Sequence, residues 1–202
     1  MAVIGLTGYE RAGKDYVADL LVRYFDAEKF AFADPLKGMV PDLYPFVKES
    51  LARNFWDWDE VKKKYPDGTR AALQDTGAWV RSHLGPSAFV HALWDRVDTF
   101  PSESGETWRL PDEDKGRLVV VSDVRRGVEA RSVFDRDGIL VWVKNPNPAA
   151  TGPQNEHETS AGVESLFFAA DYVLVNHPEG IGRGNMATVE DLFRILKKEG
   201  LI

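Results

Sequence analysis

Residues 2–15, Ala2-Val3-Ile4-Gly5-Leu6-Thr7-Gly8-Tyr9-Glu10-Arg11-Ala12-Gly13-Lys14-Asp15, decide how this chain is read. The run from Ala2 to Leu6 is short and apolar, the pattern of a buried strand. Gly8 to Lys14 then fits G-x-x-x-x-G-K, and Asp15 stands where Ser or Thr is usual. From Gly13 to Phe25 the apolar residues Val17, Leu20, Leu21 and Phe25 recur at helical spacing. Strand, glycine turn and helix in that order have a chemical meaning. Glycines let the backbone turn with its N–H groups facing inward, and the helix N-terminus adds partial positive charge. Such a turn favours a polyphosphate, with the Lys14 ammonium between the outer phosphates. A carboxylate at position 15 could bind Mg²⁺ directly or through water. It also complements the helix dipole as a first-turn acid, and the two roles are compatible.

Outward from this turn, the chain alternates. Lys29 to Ala33 reads as a second strand, followed by Asp34 as helix N-cap and Pro35 at the first helical position. Residues 36–99 lack strand signals and read as a helical insertion. Within it, Leu51–Tyr65 is expected to be helical, as is Thr69–Leu84 with Leu73, Trp79 and Leu84 inward, and Pro86–Val97. Pro101–Gly116 is polar and rich in breakers, a surface loop. Leu118–Ser122 is β-branched and continuous, the pattern of a central strand of a parallel sheet. A helix over Gly127–Asp137, a strand over Ile139–Lys144, a loop over Asn145–Gly162, a strand over Asp171–Val175 and a helix over Val189–Lys198 complete the chain. This is an α/β pattern with a parallel central sheet.

Composition sets the outer limits. The chain has 202 residues, 44% hydrophobic and 28% charged, and a net charge of −7. That is one domain with a real core. The acidic balance argues against nucleic acid as a partner but not against a small anionic ligand held by a few arginines. Cysteine is absent, which excludes disulfides, thiolate metal sites and a cysteine nucleophile. No apolar run approaches a membrane span, and no targeting segment is visible, so a cytoplasmic protein without membrane partners is expected.

Two further groups point to phosphate chemistry. Asp123 directly follows the Leu118–Ser122 strand. It reads either as a helix cap or, given the glycine turn, as a carboxylate that helps hold Mg²⁺. Arg125 and Arg126 lie just past the same strand end, where a cation can stabilise the charge on a transferring phosphoryl group. Arg131 and Arg136 are further along and are expected to pair with Glu129 and Asp135. Trp56, Trp58, Trp79, Trp94 and Trp142 read as core or half-buried packing, although one in the insertion could stack on a base. Lys62-Lys63-Lys64 reads as a solvated helix face, and Gly180–Gly184 as a flexible connector.

The ordered set GLTGYERAGKDYVADLL, FAFADPLK, LQDTGAWVR, VVVSDVRRGVEA, NEHETSAG and DYVLVNHPEG resembles the phage-type deoxynucleoside monophosphate kinases, a branch of the P-loop nucleoside monophosphate kinase-like fold. The resemblance implies a P-loop NTPase three-layer fold of residues 1–202, with a nucleotide-binding helical insertion at 36–99 and a lid at 145–164. It implies transfer of the ATP γ-phosphate to a deoxynucleoside 5′-monophosphate with Mg²⁺ at Asp15 and Asp123, inside a host cell if the chain is bacteriophage-encoded. ATP contacts are implied for Gly8, Arg11, Ala12, Gly13, Lys14, Asp15 and Tyr16, the last standing where Thr is common. Lys14, Arg125 and Arg126 take the catalytic roles. Asp34, Lys37, Arg70, Gln74, Arg81, Arg125, Lys144 and Glu158 take the acceptor, with Gln74 either reading a base edge or remaining a surface amide. His157, beside Glu158, reads as a solvated loop histidine. The G-K-D variant also resembles phosphomevalonate kinase, so a kinase of another small metabolite stays open, as does a nucleotide-binding module without turnover. A GTP-dependent switch is disfavoured, because Val143-Lys144-Asn145-Pro146 does not supply N-K-x-D. A homodimer stays open.

Overall fold

A computed structural model describes residues 1–99, 116–146, 158–177 and 184–202. Expectations on Pro101–Lys115, on 147–157 of the 145–164 stretch including His157, and on Gly180–Arg183 lie outside the described residues. The chain separates into two compact units, Met1–Ala31 with Phe100–Ile202, and Phe32–Thr99.

The first unit is built on strands β1 (Ala2–Thr7), β2 (Glu28–Phe30), β3 (Leu118–Val121), β4 (Ile139–Lys144) and β5 (Tyr172–Val175). They form one five-stranded sheet in the order β2-β3-β1-β4-β5, and every pairing is parallel. Helices cover both of its faces, as the continuous apolar strands require. α1 (Lys14–Phe25) and α9 (Gly184–Lys198) pack Val17, Leu21, Leu192 and Leu196 against Ile4, Leu6, Val120, Val141 and Leu174. The period of two sends Val3, Gly5 and Trp142 to the other face. There α7 (Gly127–Phe134) places Val133 3.1 Å from where a Gly5 side chain would begin, and α8 (Glu158–Phe167) sets the Phe167 ring 5.2 Å from Trp142. The result is a three-layer α/β fold.

Strand order fixes where a ligand can bind. The crossover from β1 leads toward β2 and β3, whereas that from β4 leads toward β5. Right-handed crossovers in opposite directions put their helices on opposite faces. The topological switch point, where ligands bind in such sheets, therefore lies beyond the carboxyl ends of β1 and β4. The β1–α1 turn, residues 8–13, stands there.

The second unit is helical: α2 (Asp34–Leu43), α3 (Pro45–Arg53), α4 (Trp58–Lys64), α5 (Pro66–Leu84) and α6 (Ala88–Thr99). Four expectations need correction. The N-cap of α2 is Ala33, and Asp34 with Pro35 already lies in the first turn. The helix expected over Leu51–Tyr65 is two helices, because Phe55 and Trp56 take left-handed backbone angles, φ 53° and 63°. Trp79 and Leu84 do not point inward but are 55% and 68% exposed. The buried face of α5 is lined instead by Thr69, Ala72, Thr76, Gly77 and Val80, small residues that let neighbouring helices approach. The loop expected through Gly162 contains the start of α8, whose apolar residues are too few to show a clear period. Among the tryptophans, Trp94 and Trp142 are buried, Trp58 half-buried, and Trp56 and Trp79 exposed.

Among the described residues, no helix is long and apolar enough to cross a membrane. One glycine tests the packing on the α7 face of the sheet. A Cβ on Gly138 would stand 2.8 Å from the Val133 backbone oxygen and 2.9 Å from the Val3 Cβ. Gly138→Ala should therefore destabilise the fold by about 1–3 kcal/mol through overpacking, seen as a lower urea midpoint with an unchanged m-value.

Candidate active site

The turn between β1 and α1 takes its shape from a few backbone angles. Gly8, Arg11 and Gly13 have φ values of 134°, 62° and 86°. At Gly8 a side chain would begin 2.4 Å from the Val143 carbonyl oxygen of β4, so only glycine allows the loop to pass so close to the strand. Ala12, buried beside it, donates its N–H to the Tyr9 carbonyl at 3.2 Å. The loop is also held from the strands. Asn145 Nδ2 donates to the Arg11 carbonyl at 3.3 Å, and Asn176 Nδ2 to the Ala12 carbonyl at 3.2 Å.

Lys14 opens α1, and its ammonium curls back into the turn. Nζ donates to the Gly8 and Tyr9 carbonyl oxygens, both at 2.8 Å. Burial, and after it the Arg125 charge, lowers its pKa to about 8, against the smaller opposing pull of Asp15, Asp123 and Glu10. Four charged groups thus act on Lys14 around the turn. An anion that met the Lys14 ammonium there would be attracted through a medium poorer in water than the surface.

Asp15 lies on the exposed side of the helix start. Its Oδ1 accepts the Ser122 hydroxyl at 3.0 Å and pairs with the Lys29 ammonium at 3.2 Å. Lys29 also pairs with Asp19 at 2.9 Å. The carboxylate that replaces the usual hydroxyl is therefore partly neutralised by a cation from β2. Tyr16, also implied as an ATP contact, is partly buried against the core cluster of α1, α9 and the sheet.

Beyond β3, the turn to α7 carries Asp123, Arg125 and Arg126. Arg126 is the N-cap of α7, half-buried, and Arg125 is exposed. Glu129 does not pair with Arg131 or Arg136 as expected. It is buried, and its Oε2 accepts the backbone N–H groups of Arg125 and Arg126 at 2.8 and 3.1 Å. Arg131 does pair with Asp135, at 2.8 Å on the exposed face. A Glu three residues past the N-cap can reach back to the orphan donors of the helix start, which explains why Glu129 turns inward. Glu129 thereby holds the backbone from which both arginines project. Desolvation raises its pKa to about 7, an effect that the two N–H donors offset only in part.

The residues that the resemblance implies for an acceptor mostly lie in the helical unit. Asp34 Oδ1 pairs with Lys37 at 3.2 Å, and its Oδ2 lies 3.6 Å from Arg96. Arg70, Gln74 and Arg81 are spaced i, i+4 and i+11 and share one face of α5 with Gly77. The Arg81 guanidinium covers Gly77 and lies 5.8 Å from the Phe89 ring centre. Lys144 is exposed at the end of β4 in the first unit. Glu158 opens α8, with its side chain outside the described residues.

Sequence reasoning missed Lys29, Ser122, Asn145 and Asn176 as parts of the site and gave Glu129 a surface pair. Asn145 and Asn176 carried one usable signal: each directly follows a strand, and in a parallel sheet those ends gather on the side where β1 ends.

The Glu129 environment has a measurable consequence. Its folded-state pKa of about 7 stands above the ordinary 4.5, so the folded protein holds a proton that the unfolded chain releases. Stability therefore falls as pH rises from 4.5 to about 7. Glu129→Gln keeps an oxygen for the two N–H groups but cannot titrate. Relative to wild type, its urea midpoint should rise progressively across that window. A constant difference would contradict the assignment.

No family model matches the sequence, and no curated protein matches it. Among solved structures, the chain is similar to shikimate kinase from Bacteroides thetaiotaomicron, at 13% identity over 97% of this chain and 98% of that one, with a TM-score of 0.45. It is similar to shikimate kinase from Aquifex aeolicus, at 13% identity over 98% of each chain and a TM-score of 0.47. Dephospho-CoA kinase from Campylobacter jejuni is a third, at 10% identity over 96% of each chain and a TM-score of 0.41. At such distances the reading of the site rests on its own residues.

Proposed function

We propose that the protein is a phosphotransferase that moves the ATP γ-phosphoryl group to a deoxynucleoside 5′-monophosphate and yields the diphosphate. One observation carries the reading. A glycine turn at the carboxyl end of the central strand is closed by a half-buried lysine whose ammonium lies on the turn's own carbonyls. A triphosphate tail can replace those carbonyls as the partner of Lys14 while the turn's N–H groups and the α1 N-terminus take the remaining oxygens. Resemblance of the ordered motifs to the phage-type kinases supports the monophosphate as acceptor.

The chemistry needs alignment and charge neutralisation more than a strong base, because the phosphoryl group leaves and arrives with its charge spread over three oxygens. Lys14, Arg125 and Arg126 supply positive charge from two directions, the α1 start and the α7 start. Glu129 fixes the second of these through the backbone. Asp34, Lys37, Arg70, Gln74 and Arg81 in the helical unit, with Lys144 and Glu158, are proposed to take the acceptor: cations for its phosphate, an amide for its base.

Mg²⁺ fits the donor set. It is commonly bound by one or two carboxylates together with substrate phosphates, and Asp15 and Asp123 are two hard oxygen donors whose charges both act on Lys14. When bound with the nucleotide, it would neutralise charge on the outer phosphates.

A coupled assay with ATP across deoxy- and ribonucleoside monophosphates, with shikimate-like and phosphomevalonate-like acceptors beside them, tests the reading. Turnover only with a non-nucleotide acceptor would replace the substrate, and ATP binding without any transfer would leave a binding module. Two variants test the machinery. Arg125→Ala should lower kcat on the order of a hundredfold or more, since contacts made to transition-state charge are worth several kcal/mol. An unchanged kcat would move the role to Arg126. Lys14→Met should abolish transfer and yet stabilise the fold at neutral pH. The folded Lys14 pKa of about 8 lies below the ordinary 10.5, so the unfolded chain binds more protons between those values. Wild-type stability accordingly rises with pH across that window, and the methionine variant should lack that rise.

A further inference from the structure

We propose that Asn145 and Asn176 are positioning residues, two side-chain amides that hold consecutive carbonyls of the phosphate loop turned outward and thereby set its affinity for a polyphosphate. The inference deepens the phosphate-loop reading above and rests on it.

The geometry is specific. Lys144 and Val175 are the last paired residues of β4 and β5, and each asparagine comes next in its strand. The ladder runs one bond further, with the Asn176 N–H donating to the Lys144 carbonyl at 2.8 Å. This places both amides at the sheet edge beyond which the β1–α1 turn passes. Asn145 Nδ2 takes the Arg11 carbonyl and Asn176 Nδ2 the next one, Ala12. The Asn176 side chain is buried, and its Oδ1 has no hydrogen-bond partner among the described residues. Donation to Ala12 therefore fixes which way the amide faces.

Room for that amide comes from Gly13. A side chain there would begin 2.0 Å from Asn176 Nδ2. The second glycine of the motif thus serves two ends, a left-handed backbone and the space in which a strand-end amide reaches the loop. The energetic logic follows from peptide dipoles. A polyphosphate is bound by N–H groups and repelled by carbonyl oxygens, and glycine-flanked peptides rotate easily. Tying two successive carbonyls to amide donors removes the orientation that would face the anion. Only a donor works: a carboxylate at 176 would set oxygen against oxygen and add negative charge beside the phosphates.

Calorimetric titration of the full-length protein with inorganic tripolyphosphate and with MgATP tests this. Asn176→Asp preserves shape and replaces the donor with an acceptor, and Asn176→Ala removes it. Affinity for both probes should fall by the same factor, on the order of fivefold for Ala and tenfold or more for Asp, the range of a lost hydrogen bond and a repulsive contact. The KM of the phosphate acceptor should stay at its wild-type value. A merely structural asparagine would lower the melting temperature and leave the folded protein's affinity unchanged, and that result would overturn the proposal. Should neither Asn176 variant fold, Asn145→Asp at the less buried position carries the test, with about threefold weakening expected and wild-type affinity overturning it. Wild-type protein that binds neither probe would refute the phosphate-loop reading itself, and the clamp with it.

Discussion

Everything at this site depends on which way a few peptide groups face. A turn can receive a polyphosphate only if its N–H groups converge and its carbonyls diverge. Here two side-chain amides hold carbonyls of the turn, Asn145 on Arg11 and Asn176 on Ala12, while the Lys14 ammonium lies on those of Gly8 and Tyr9. Gly8 and Gly13 supply the backbone angles, and each also yields the space that a neighbour needs, the Val143 carbonyl for one and the Asn176 amide for the other. Remove the sheet beneath, and the same residues would have no fixed dipoles to present.

The site is assembled at a cost in stability. Lys14 is a cation buried enough to have its pKa lowered to about 8, and Glu129 a carboxylate buried enough to be raised to about 7. Neither shift favours folding at neutral pH, because each reports a charged form that the interior disfavours. Both groups are instead arranged for what they hold. The ammonium lies on the Gly8 and Tyr9 carbonyls, and the carboxylate ties down the backbone of Arg125 and Arg126. Asp15 shows the opposite treatment. It stays at the surface, where Lys29 and the Ser122 hydroxyl offset a negative charge that would oppose a phosphate.

The parts of the fold legible in the sequence were those with strong local patterns. Leu118–Ser122 and Ile139–Lys144 read as strands because continuous β-branched runs suit a sheet covered on both faces, and the sheet is all parallel as expected. The helices of the second unit were harder. The sequence of α5 shows a helix, but its large residues Trp79 and Leu84 suggest the wrong inner face, because close packing calls for Gly77, Ala72 and two threonines there. The break between α3 and α4 and the start of α8 also escaped, since neither carries the proline or glycine that usually marks such points.

From the sequence alone came the α/β class, the parallel sheet and the glycine turn between β1 and α1, because apolar periodicity and turn chemistry are local properties of the chain. Tertiary structure alone decided that Lys29 faces Asp15, that Glu129 turns inward to two backbone donors, and that Asn145 and Asn176 donate to consecutive carbonyls of the β1–α1 turn. These pairs join residues far apart in the chain or depend on which side of a helix start is buried. Their geometry exists only once parallel strands end together on one edge of the sheet.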